Sequence, residues 1–94
     1  LADRLAKAAK VGGASMVEEA VASSSLKDNR SRSVAAAFMT AAGAEYKLKL
    51  SHDEKDLADY LAPFAAGVIK AEGERYRDAM NTLLTASGAS EKVS

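Results

Sequence analysis

Residues 51–86 read SHDEKDLADYLAPFAAGVIKAEGERYRDAMNTLLTA, and this stretch decides the fold class. It opens on Ser51 with Glu54 three positions later. That is a capping box, in which the serine side chain and the glutamate each satisfy one orphan amide of a new helix. Asp53 and Asp56 add negative charge to the first turn, where the helix dipole is positive. Leu57, Tyr60/Leu61, Phe64 and Val68 then recur at helical spacing. Ile69, Tyr76, Met80 (with Ala79) and Leu83/Leu84 carry the apolar face to about Ala86. Pro63 removes one amide and crowds the preceding turn, so the 52–86 segment is expected to kink or break near it. Gly73 is a second weak point, placed where the apolar stripe shifts. An unbroken helix of about 35 residues would extend about 50 Å, more than the diameter of a domain this small. The segment therefore folds back at Pro63 or Gly73, or projects and pairs with another chain.

Upstream, residues 31–50 are apolar on nearly every side of a helix. Val34, Phe38, Ala41 and Leu48 share one face, with Ala35, Met39, Ala42, Tyr46 and Leu50 beside them. This is the pattern of a central helix. Tyr46 to Leu50 alternates as a strand would. No second strand is visible to pair with it, and Lys47 and Lys49 suit a helix C-terminus, so a helix end is expected there. Glu45 would then pair with Lys49 one turn on. Before this element, Lys27 to Arg32 is a polar turn in which Asp28, Asn29 or Ser31 can cap the helix that follows.

The N-terminal quarter reads as two short helices. Leu1 to Val11 places Leu1, Leu5 and Ala8/Ala9 on one face, with Asp3 and Lys7 as an i,i+4 pair. Gly12-Gly13 ends it with a left-handed cap. Met16, Val17, Ala20 and Val21 form the stripe of a second helix from Ala14 or Ser15 to about Ser24. The product is an all-α, alanine-rich bundle of four to five helices. It forms a single domain over 1–86, with a flexible tail over 87–94.

The 94-residue chain has 21 alanines, no cysteine and no tryptophan. Alanine forms helices well but buries little area, so close helix contact must stand in for bulky side chains. Small scaffolds of this kind often add stability by pairing. Absence of cysteine excludes disulfides and thiolate metal sites. The longest apolar run, Val34 to Ala44, falls well short of the roughly 20 residues that span a bilayer. Net charge is zero, yet residues 1–50 hold eight Lys/Arg against five Asp/Glu and residues 51–94 the reverse, five against eight. Such halves favour docking within a chain or between copies. If Leu1 follows a cleaved leader, the domain acts outside the cytoplasm as a secreted or envelope-associated accessory protein; otherwise it is cytoplasmic.

Catalytic and cofactor chemistry find little purchase. His52 with Asp56 and Asp59 shares one helical face, but an acidic helix start explains these residues and no second histidine exists for a hydrolytic metal site. No serine stands in a nucleophile elbow, and no phosphate-cradling glycine motif is present. No catalytic, cofactor-binding or metal residue is assigned. Glu72–Arg75 and Glu74–Arg77 read as i,i+3 pairs on a solvated face.

The expected function is non-enzymatic protein–protein interaction: self-association into a homo-oligomer, or an adaptor role in a larger complex. The expected interface residues are Tyr60, Phe64, Val68, Ile69, Tyr76 and Met80, because tyrosine and methionine are enriched in such contacts. The alternative is a small nucleic-acid-binding regulator that uses Lys27, Arg30 and Arg32 on phosphates. Zero net charge and an apolar would-be recognition helix weigh against it.

Overall fold

The helix that begins after Ser51 forms as the capping box predicts. Residues 1–89, which the computed structural model describes, fold into four α-helices with no strand among them. These are α1 (Ala2–Ala22), α2 (Asn29–Ala41), α3 (His52–Lys70) and α4 (Glu74–Ala86). The described chain measures 34 × 28 × 21 Å, so no helix projects far from the body.

α1 is two limbs bent at Gly13, which has φ 61° and ψ −143°. That is not the left-handed cap expected from Gly12-Gly13. It is a region that a Cβ excludes, and it turns the chain sharply. The Arg4 guanidinium donates to the Ser23 hydroxyl. In a straight helix those two residues would stand about 28 Å apart, so the limbs fold back on each other. The expected Asp3–Lys7 pair is present at 2.9 Å.

α2 is the central helix, as its all-round apolar pattern predicts. Every residue from Ser33 to Met39 is buried. Asp28 is the cap, accepting from the Ser31 amide at 2.8 Å. The helix does not continue to residue 50. Gly43 takes φ 75°, the Gly43 amide donates to the Thr40 carbonyl and the Ala44 amide to the Met39 carbonyl. These two bonds make a Schellman stop. Residues 44–50 then form a non-helical strap with burial of period two. Ala44, Tyr46, Leu48 and Leu50 are half-buried, and Glu45, Lys47 and Lys49 are exposed. The expected Glu45–Lys49 helical pair therefore does not arise.

α3 runs through Pro63 to Lys70, so the break in the 52–86 segment is not at Pro63. It falls at Ala71–Gly73, where Ala71 is extended and Gly73 adopts φ 58° and ψ −135°, close to the Gly13 geometry. The expected Glu72–Arg75 and Glu74–Arg77 pairs are not formed among the described residues; Arg77 lies 3.8 Å from Asp78 instead. After α4, the Gly88 and Ala89 amides close a second Schellman stop on Thr85 and Leu84, and Ser87 is buried. Of the stretch 87–94 expected as a tail, Ser87 to Ala89 take part in this stop, and 90–94 lie outside the described residues.

The core gathers Leu5, Val17, Phe38, Leu61, Val68, Met80 and Leu83, with Ala6, Ala35, Ala37 and Ala65 filling the close contacts between helices. α2 packs chiefly on α3, and α4 against α3, while α1 touches all three. A polar clasp joins the starts of α2 and α3. Glu54 completes the capping box by accepting from the Ser51 amide at 2.8 Å, and its other oxygen meets Arg32 Nε at 2.8 Å. The Arg32 guanidinium also donates to the Lys49 carbonyl, and the buried Ser33 hydroxyl donates to the Glu54 carbonyl at 3.0 Å.

Candidate interaction surface

The helical periodicity of α3 gives it an outward face as well as a buried one. Asp56, Tyr60, Pro63, Gly67 and Lys70 are all exposed, at successive spacings of four, three, four and three residues. This is the seam spacing of helices that pair side by side. Tyr60 is the most prominent residue on it, with 58% of its surface exposed. Its ring meets Phe64 edge-on, with centroids 5.4 Å apart and planes at 65°. The edge-to-face arrangement holds the tyrosine ring in place on the surface.

Beside these rings a shallow groove of about 470 Å³ runs between α3 and α4, walled by Asn81, Thr82, Thr85 and Ala86. A second hollow continues the α3–α4 seam past Gly67 and Ala71 to Arg75 and Ala79. Gly67 has ordinary helical geometry, and a Cβ built on it would meet nothing within 4 Å. A helix-interior glycine costs roughly 1 kcal/mol against alanine. Nothing in this chain's own packing requires that cost.

The six residues expected to form an interface do not share one face. Tyr60 and Phe64 come together at the surface. Val68 and Met80, at 0% and 1% exposure, belong to the chain's own core. Ile69 is half-buried against that core. Tyr76 is turned onto α1, where its hydroxyl donates to the Asp3 carboxylate and Lys10 Nζ sits 4.3 Å above its ring. Burial first, and then this bond to Asp3, raise the Tyr76 phenol well above its usual value. The same bond, followed by Lys7, lowers the Asp3 carboxyl.

Of the basic turn, Lys27 and Arg30 are exposed, but Arg32 is held by Glu54 and the Lys49 carbonyl. The three do not form a free phosphate-binding set. His52 lies 3.2 Å from Asp56 on the solvated start of α3, and Asp59 faces Lys55 at 3.9 Å. Among the described residues no group of three or more His, Asp or Glu is placed to hold a metal ion. No helix among them is long and apolar enough to cross a membrane. The hollow between α1 and the strap is lined by Glu18, Ala22, Met39, Glu45 and Lys47, with no serine, threonine or histidine among them.

Sequence reasoning missed the outward stripe, because attention to the apolar face passes over what the opposite face presents. The signal was the 4-3-4-3 spacing of Asp56, Tyr60, Pro63, Gly67 and Lys70. No family model, no curated protein and no solved structure matches the chain.

Proposed function

We propose that this chain is a non-enzymatic helical interaction domain whose contact surface is the outward face of α3 and the groove it shares with α4. The observation that carries the reading is Tyr60, a large aromatic side chain more than half exposed on a helix, set edge-on against Phe64 beside an open groove. Tyrosines held in this way are common anchors of protein contacts, because they present a rigid apolar body with a polar tip. Gly67, about two turns further along the same face, leaves room for another backbone or side chain to approach closely. The interface expected from the sequence is thereby narrowed to Tyr60 and Phe64, with Val68 and Met80 assigned to the core.

The test is a photoreactive phenylalanine analogue placed at Tyr60, with the same group at Lys27 as the control. The reading predicts covalent adducts from position 60 that are lost when Gly67→Arg is added to the same chain. Adducts no more abundant from position 60 than from position 27 would overturn it.

A further inference from the structure

The outward stripe of α3 is complementary to its own reverse. It carries negative charge at Asp56, a bulky ring at Tyr60, Pro63 at its middle, an open gap at Gly67 and positive charge at Lys70. Turning a copy of the helix end for end about Pro63 sets Asp56 opposite Lys70 of the second copy and Tyr60 opposite its Ala66, within one residue, about 1.5 Å, of its Gly67. By two-fold symmetry the same pairs recur on the other side. Acid meets base at the two ends of the stripe, and each tyrosine ring falls on the small residues Ala66 and Gly67 of the other copy. Resting on the reading of this face as the contact surface, we infer that its occupant is a second copy of the chain, docked antiparallel along α3.

Three physical features agree with that arrangement. The stripe spans four turns, about 21 Å, with the spacing of a helix-pairing seam throughout. Antiparallel helices set opposite dipole ends side by side. Lys70 has no ion pair among the described residues, and Asp56, whose partner within the chain is the exposed His52 at 3.2 Å, keeps its other carboxylate oxygen for it across the axis. Asp59 flanks the acidic end and Lys55 pairs with it, so neither reverses the sign at the seam's ends. A parallel copy would set Asp56 against Asp56 and Lys70 against Lys70, and like charges at every end reject that register.

The experiment is sedimentation equilibrium of the whole chain over a concentration series, with Asp56→Lys and Lys70→Asp measured alone and mixed. Both positions are exposed, and circular dichroism checks that each variant stays helical. The wild-type mass is expected to rise with concentration from 9.8 kDa toward twice that value. Each single variant is expected to weaken the dimer by about tenfold or more, because two contacts become repulsive. An equimolar mixture restores it, since Lys at 56 in one chain then meets Asp at 70 in the other, while Asp56 and Lys70 keep their native pairing. A wild type that stays at 9.8 kDa up to about 1 mM, weaker than any functional pairing, would overturn the inference. So would a mixture no stronger than its components. If the wild type is monomeric while Tyr60 still yields adducts with a different chain, the second copy is wrong and the contact surface stands. If neither mass nor adduct appears, both are wrong.

Discussion

The Tyr76 hydroxyl donates to the Asp3 carboxylate at 2.5 Å, across 73 positions of sequence, and this bond fastens the start of α4 to the first limb of α1. Lys10 reinforces the junction from above the tyrosine ring and from the Ala71 carbonyl at the α3–α4 corner. The corner itself depends on Gly73, and the limb on Gly13. Tyr76 and Lys10 thus tie the α3–α4 corner and the start of α4 to the first limb of α1.

The Tyr76 phenol is raised in the folded state, so its contribution to stability is complete below the unfolded value of about 10 and is lost as pH rises beyond it. Thermal unfolding between pH 7 and pH 12 is expected to show a falling midpoint above about pH 10. Tyr76→Phe removes its contribution to that alkaline slope and lowers stability at pH 7 by about 1 kcal/mol, or about 4–8 °C in a domain this size.

Glu54 is lowered, first by the bond from the Ser51 amide and also by Arg32. A depressed carboxyl contributes stability above its unfolded value near 4.5, and loses it as pH falls through the folded value. Glu54→Gln is therefore expected to flatten the acid limb of the unfolding curve below about pH 4.5. Arg32→Met, which strips the buried carboxylate of its cation, costs about 1–2 kcal/mol at pH 7 after allowance for solvent at the arginine. Chemical denaturation at pH 7 and pH 3 checks both.

Glycine substitutions separate the bends from the surface. Gly13→Ala and Gly73→Ala are each expected to cost about 1–3 kcal/mol, because their backbone geometry excludes a Cβ. Gly67→Ala, with helical geometry and open space, is expected to raise stability by up to about 1 kcal/mol. Urea midpoints with unchanged slopes would establish all three.

Phe38 is the largest fully buried side chain, on the helix with the longest buried run. Phe38→Ala is expected to cost about 3–5 kcal/mol, a large share of the total for so small a domain. Loss of cooperativity in thermal unfolding is the readout.

What the sequence made legible was local. The Ser51–Glu54 box, an interruption at Gly12-Gly13 (though not its geometry), a cap among Asp28, Asn29 and Ser31, and the all-round burial of 33–39 each depend on residues within a turn or two. Gly43 was legible in principle, since a glycine after an alanine run is a common helix stop. The alternation beyond it, Tyr46 to Leu50, is that of the non-helical strap; Lys47, Lys49 and the lack of a pairing strand argued instead for a helix end. Arg32–Glu54 and Tyr76–Asp3 were out of reach, being 22 and 73 residues apart. The partition of the expected interface had the same cause. Periodicity places Phe64, Val68 and Met80 on apolar faces, but only the neighbouring helices decide which of them is covered.

The most direct test of the account is the effect of Gly67→Leu on adduct formation from a photoreactive group at Tyr60, read beside the variant's melting temperature. A Cβ at this exposed helical position meets nothing within 4 Å, so the leucine should leave the fold as stable as before or more so, while it fills the gap that a docking partner needs. The account predicts a folded protein whose Tyr60 adducts are lost. A folded Gly67→Leu protein with undiminished adducts would contradict it.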